Sequence, residues 1–543
     1  MSSTSSPPSE QTFQGNDKLL IGLVFSVVTF WLFAQSTGTM APQIMRNLNA
    51  NSEVITPTFM NFAVSVTALF SGMFIVLAGG FADRYGRVKV ATIGNVLGIV
   101  GSLLIVAANG GLAVPLILVG RIIQGVSAAC VMPSTLSLVR TYWDGAARQR
   151  AVSIWSIGTF GGSGLSSITS GYLNQIFGWR SIFIVSAIIS LLAIIIMRGT
   201  PESKVSADSV RKADVPGIIS FLVTILALMV LVTFGKQFGY FSALGIALIV
   251  VMIVGFIIFY RIEQKAHAPF IDFALFRNRI FTGATLANFM ANTGIGVIMV
   301  SQQLLQMAGK DMTAASAGQL TLGYAAAVIL FIRLGEKVMQ KRGARDPMLM
   351  AIACLAMGAI LLMPTNLLLG QYKILAFIAY IFFGLGLALF ATPSTDTALT
   401  NLPPEQSGAG AGIFKMASSL GGALGAAISL SIYAAIGQGS GNIAILGNVL
   451  EIQGRTDNIA LRQGATMALL FHLFLFIMAF LIVLLMVPKW AGTPEAEQKY
   501  KEMLAKSHGH LPEPTMEDAL GGSAFADEAP ESDTPAGGGA HRK

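Results

Sequence analysis

Charge is scarce in this chain. Asp, Glu, Lys and Arg make up 11% of its 543 residues, against about a quarter in soluble proteins. That deficit excludes an ordinary water-soluble fold. Cysteine is nearly absent, and Cys130 and Cys354 both sit in apolar runs, so no disulfide framework is implied. A basic leader with a short apolar core is also lacking, and the first apolar run is expected to remain as an anchor. Paired carboxylates, a histidine cluster and a nucleophile spaced from a base are missing too. An enzyme is therefore not expected, nor any cofactor or metal site. His508 and His510 lie close together in the tail, but two solvated histidines without a third ligand are a poor metal site. The net charge of +8 lies mostly in short loops and does not indicate a nucleic-acid partner.

What the chain has is apolar length. Hydrophobic residues are 54% of it, in runs of roughly 20 residues, each long enough to cross a bilayer as a helix. Lipid leaves a backbone few other ways to satisfy its hydrogen bonds. The expected fold class is an all-α polytopic membrane protein. Fourteen spans are read at 19–41, 56–79, 90–108, 113–137, 151–173, 181–197, 215–235, 243–260, 281–303, 317–333, 348–364, 373–395, 411–434 and 464–487. An even number puts both termini on one side. Segments on that side, up to residue 346, carry far more Lys and Arg than the opposite loops. The positive-inside rule then makes both termini cytoplasmic.

The chain also repeats itself. "MPSTLSLV" at 132–139 matches "TPSTDTAL" at 392–399, and "FGGSG" at 160–164 matches "LGGAL" at 420–424. Both pairs share one offset, which relates span 4 to span 12 and span 5 to span 13. Two six-helix halves with spans 7 and 8 inserted between them explain an offset of eight helices. Repeated halves around a central path are typical of secondary transporters. The expected organisation is a polar cytoplasmic N-terminus at 1–18, a first half at 19–198, the inserted helices with their flanking loops at 199–280, a second half at 281–488, and an acidic disordered cytoplasmic tail at 489–543.

The loop after the second span reads "GGFADRYGRVKV", residues 79–90. Gly79, Asp83, Arg84, Gly86 and Arg87 there resemble the loop signature of the major facilitator superfamily. Gly79 suits close approach at a helix end and Gly86 a tight turn. The resemblance implies a conformational latch in which Asp83 faces the positive start of span 13, near Gly408 to Gly412. Arg121, Gln124 and Gly125 resemble the superfamily's helix-4 motif, whose Arg is tied to proton coupling. A cation so deep in a span needs a partner or a wet cavity, and neighbouring helix carbonyls are the plainer alternative. In span 5 the antiporter signature is only partly present. Gly162 and Gly171 align with it, while Ser166, Ser167 and Ser170 replace its Pro and Gly residues. Gly161, Gly162 and Gly164, with their repeat-mates Gly421 and Gly422, still permit close helix packing.

No carboxylate lies near the middle of any span. Besides Arg121, the proton-coupling candidates are Asp396 at the cytoplasmic end of span 12, Lys415 as its partner, and His472, the only intramembrane histidine, which titrates in a useful range. Trp31, Phe33, Gln35, Gln124, Asn288, Asn292, Gln302, Tyr380 and Phe383 are candidates for a substrate path. Aromatic, Met and amide groups together suit flat, hydrophobic, weakly polar compounds.

Several longer stretches carry a closer resemblance: "LLIGLVFSVVTFWLFAQS" at 19–36, "WSIGTFGGSG" in span 5 and "FGLGLALFATPSTDTA" in span 12. They resemble the Nor-type quinolone and multidrug efflux pumps of the fourteen-helix drug:H+ antiporter family. What the resemblance implies is proton-coupled export of hydrophobic, cationic or zwitterionic drugs, fluoroquinolones included, by alternating access. The implied partners are small drug-like molecules, protons and lipid, in a monomer of the bacterial cytoplasmic membrane. The alternative is a major-facilitator transporter of one dedicated metabolite or lipid-like compound, working by uniport or symport.

Overall fold

The computed structural model describes residues 13–49, 55–143, 157–203, 214–266, 273–308, 312–400, 404–437 and 457–489, with single positions between them. The tail, with His508 and His510, lies outside the described residues, as do the side chains of Gln35 and Asp83 and the surroundings of Gly164.

The helices are α1 (Asp17–Leu48), α2 (Pro57–Tyr85), α3 (Arg87–Val106), α4 (Ala113–Tyr142), α5 (Gly162–Phe177), α6 (Arg180–Met197), α7 (Val215–Phe238) and α8 (Ala243–Lys265). They continue as α9 (Arg279–Thr293), α10 (Ile295–Ala308), α11 (Ala314–Leu320), α12 (Leu322–Arg342), α13 (Arg345–Leu362), α14 (Leu369–Thr400), α15 (Pro404–Gly437) and α16 (Ile459–Met486). Among the described residues, 13 helices are long and apolar enough to cross a membrane. The remaining expected span, 151–173, contains a π-helical turn at Ile157–Gly161 that leads into α5.

Two expected spans are broken. Residues 281–303 form α9 and α10, interrupted at Gly294, and residues 317–333 fall in α11 and α12, interrupted at Thr321. Both breaks lie in windows that are apolar on average, so mean hydropathy does not reveal them. Several helices overrun their expected ends. In particular α2 continues to Tyr85, so Gly79 and Gly80 are helical. A Cβ on Gly79 would meet only Pro133 at ordinary distance, and one on Gly80 would meet nothing. Among the described residues, neither glycine is closely approached. Gly86 does turn the chain, at φ +119.

Packing repeats between the halves. In the first, α3 packs on α4, α2 on α4, α1 on α6, α3 on α6 and α1 on α5. In the second, α13 packs on α14, α12 on α14, α9 on α16, α13 on α16 and α9 on α15. Each contact has its counterpart eight spans later. The halves meet where α2 crosses α15 and where α5 meets α11. The inserted α7 and α8 pack on each other, and α7 rests on α2 and α15 at that junction. Lipid-facing Ile and Val dominate α8, which is the least buried of the apolar helices.

Candidate functional site

The α2–α15 crossing is antiparallel and in a fixed register. Asn61 Nδ2 donates to Leu430 O at 3.3 Å, and a Cβ on Gly72 would meet Ser419 Cβ at 2.9 Å. Across the molecule, Gln319 Nε2 donates to Tyr172 OH at 2.6 Å, and Gly161 faces Ile329. These two lines join the halves along their flanks. A third contact lies at the end opposite the Gly86 turn. There α1 and α10 meet, with Gly38 against Met299 and Gln43 Nε2 donating to Gln306 Oε1 at 3.0 Å. At the Gly86 end, α4 and α14 pack within their own halves. The central region is therefore sealed at one end by the α1–α10 seam.

The α9–α10 break at Gly294 packs against Phe383 and Phe476, and Thr321 at the α11–α12 break is buried. Gly162 holds Trp31 so closely that a Cβ would sit 2.8 Å from Trp31 Cδ1. The repeat-mate Gly421 abuts the Phe289 backbone of α9, and Gly422 meets Ile295 at 3.0 Å. The small residues thus dock the fifth helix of each half on the first. Trp31 is partly buried, and its Nε1 has no partner among the described residues. Asn288 Nδ2 donates to Phe414 O and Ser418 Oγ, and Asn292 Nδ2 donates to Asn288 Oδ1 at 2.9 Å. Asn292 remains half-buried.

Other candidates lie deeper. Tyr380 is fully buried with its hydroxyl 2.7 Å from Ser301 Oγ, and Phe383 packs on Phe476 at 6.1 Å. Both lie inside the second half rather than along an open wall. Phe33 is buried in the first half, with Phe30 5.8 Å away. Arg121 is fully buried and tied to carbonyls: Nε to Ala63 O at 2.9 Å, Nη1 to Phe33 O at 2.8 Å, Nη2 to Val64 O at 3.2 Å. Gln124 Oε1 accepts from Nη1 at 3.0 Å, and Gln124 Nε2 donates to Ser102 Oγ. These contacts fasten α4 to α1 and α2.

His472 sits against the α9–α10 break. Its Nε2 lies 2.5 Å from Ser429 Oγ and its Nδ1 3.3 Å from Thr293 Oγ1. A Cβ on Gly296 would fall 2.8 Å from Nε2, and one on Gly425 2.5 Å from Thr293 Cα. Glycine alone lets the helices close around the imidazole. Ser429 Oγ donates to Gly425 O at 2.5 Å, and Thr293 Oγ1 donates to Met290 O at 2.6 Å. Each hydroxyl thus lies within reach of both a helix carbonyl and an imidazole nitrogen. Asp396 and Lys415 are half-buried near the Gly86 end, and neither is free of interactions. The ring of Phe414 lies 6.0 Å from Lys415 Nζ.

The Gly86 turn is held from a direction the sequence does not announce. Glu202, beyond the end of α6 in the segment 199–203, accepts from Val88 N at 2.8 Å and Lys89 N at 3.0 Å. Its carboxylate caps the orphan donors at the start of α3. Arg87 N donates to Ser203 O, while Arg87 Nη1 donates to Thr141 Oγ1 at 2.6 Å. Tyr142 OH donates to Pro201 O at 2.5 Å. Burial, and then the negative charge of Glu202, raise the Tyr142 phenol above its ordinary value. Arg84 lies exposed, 5.4 Å from the Tyr85 ring. The second half repeats the device: Gly343 turns the chain at φ +80 against Lys489, and Ala344 N donates to Ala491 O. In each half, the segment after the sixth span straps the turn between the second and third. Nothing in the sequence set Glu202 apart from Asp208 and Asp214 in the same loop.

Two pseudo-repeated six-helix halves, paired along two flanks and sealed at one end, define a membrane transporter. The family comparison agrees, and the chain belongs to the Major Facilitator Superfamily, whose family profile matches residues 19–426. It is 45% identical over 487 residues to "Quinolone resistance protein NorB" of Staphylococcus aureus strain MRSA252, covering 90% of this chain and 99% of that protein. The same identity and coverage hold for the protein of that name from strain COL. Among solved structures, a POT family transporter in complex with 5-aminolevulinic acid has a TM-score of 0.59 at 14% identity, covering 85% of this chain and 96% of that one. A mutant form of the nucleoside transporter NupG has a TM-score of 0.58 at 13% identity, covering 87% and 99%. At such identities these structures speak for the fold alone. The chain is a transporter and not an enzyme.

Proposed function

We propose that the protein exports hydrophobic, cationic and zwitterionic drugs, fluoroquinolones among them, in exchange for protons. Its setting is the cytoplasmic membrane of a bacterium, with both termini in the cytoplasm and a single chain as the working unit. The observation that carries the reading is the arrangement of the halves: joined along two flanks, sealed by α1 and α10 at one end. Rocking about the flanks opens that seam and closes the other end, which is alternating access. Drug enters from the Gly86 end and rests near Trp31, whose indole N–H has no partner among the described residues, and Asn292, which is half-buried.

Proton coupling falls to His472. Its two hydroxyl partners, Ser429 and Thr293, can each accept from an imidazolium nitrogen or donate to a neutral one. Asp83 supplies the latch. Carried on toward the Gly86 end, the α2–α15 register that pairs 61 with 430 and 72 with 419 would bring position 83 toward the start of α15. That is the positive end of a helix. High similarity to proteins named for quinolone resistance favours drug export over a dedicated metabolite route. Expression in a bacterium stripped of its own pumps should lower norfloxacin and ethidium accumulation, and a protonophore should restore it. Unchanged accumulation of both compounds would contradict the proposal.

A further inference from the structure

The α1–α10 seam holds a group at odds with its surroundings. The helices run in the same direction and touch at two levels, Gly38 with Met299 and Gln43 with Gln306. Met299, Gln302 and Gln306 recur at helical spacing and share one face of α10. Gln302 therefore lies in the seam between the two contacts. It is fully buried, and neither Oε1 nor Nε2 has a hydrogen-bond partner among the described residues. Gln43 Oε1 is also buried without one. The adjacent Ser301 is satisfied, donating to Ile298 O and lying 2.7 Å from Tyr380 OH.

We infer that Gln302 is a positioning residue that sets the balance between the closed and open forms of this seam. A buried amide without a protein partner is costlier than one exposed to solvent. Opening the seam hydrates it again. Gln302 thus raises the free energy of the closed form and leaves the open form untouched. The Gln43–Gln306 hydrogen bond and the Met299 contact act in the opposite sense. An exporter has to populate both forms in every cycle, and a wholly apolar seam would leave the closed form too deep. The inference rests on the alternating-access reading above.

Distance measurement between spin labels tests it. Leu112 and Leu368 are exposed, follow the third and eleventh spans, and lie at the seam's end of opposite halves. Labels go on Leu112→Cys and Leu368→Cys, with Cys130→Ser and Cys354→Ser. In Gln302→Met, which keeps length and removes the amide, the long-distance population should fall about tenfold, equivalent to ~1.4 kcal/mol. Export should slow while drug affinity in detergent stays unchanged. Gln302→Glu should shift the population the other way, and it keeps the test decisive should the Met variant fail to fold. Parental distributions in both variants would overturn the inference. Weaker drug binding with parental distances would do so too, by making Gln302 a drug contact. A parent protein with one distance at every pH and drug concentration would instead count against alternating access itself.

Discussion

Gly86 and Glu202 pack so closely that a Cβ on the glycine would lie 2.7 Å from Glu202 Cγ. The turn is thereby fitted to the carboxylate that caps α3. Gly86→Ala adds a clash to a backbone at φ +119, a conformation that costs a non-glycine residue about 1–3 kcal/mol. It should lower the thermal unfolding temperature in detergent and abolish export. Glu202→Gln keeps the shape and removes the charge. A loss of about 0.5–2 kcal/mol, typical of a lost cap, is expected in the same unfolding assay, with export reduced several-fold.

Arg121 should prove a structural tie. Arg121→Lys cannot span Ala63 O, Phe33 O, Val64 O and Gln124 together. Hydrogen bonds to charged groups contribute about 1.5–3 kcal/mol each, so even this conservative change should destabilise the first half. Unfolding temperature is the readout. A fully stable Lys variant that fails only in proton flux would return Arg121 to the coupling machinery.

His472→Gln removes the group that changes charge and keeps a polar side chain for Ser429. Uphill, pH-driven export should fall at least about tenfold, the effect of a barrier raised by ~1.4 kcal/mol. Drug binding and downhill drug exchange should persist. Unchanged pH-driven export in this variant would remove His472 from the coupling step.

Asp83→Asn tests the latch. Transport should be crippled, while insertion and drug binding stay near parental levels. A variant that transports normally would leave the loop motif as a turn held by Glu202 alone.

The architecture was largely legible from residues. The common offset of "MPSTLSLV" with "TPSTDTAL" and "FGGSG" with "LGGAL" foretold the paired halves, and the helix contacts repeat at the same spacing. Arg121 was legible as a buried cation, but its carbonyl partners were not, because backbone groups leave no mark in a sequence. Breaks at Gly294 and Thr321 fall within runs that are apolar enough on average to read as single spans. Tyr380 and Phe383 suggested a wall and are core, since a helix apolar all round hides which face meets lipid, protein or substrate. Glu202 was overlooked because its role depends on a segment folding back across more than a hundred residues.

The central claim is exchange of drug for protons through this path. Proteoliposomes with an acidic interior and a pH-sensitive dye inside test it most directly. Adding norfloxacin or ethidium outside should release protons from the lumen in the parent protein, and His472→Gln should release few. Drug binding without any drug-dependent proton movement in the parent would contradict the account.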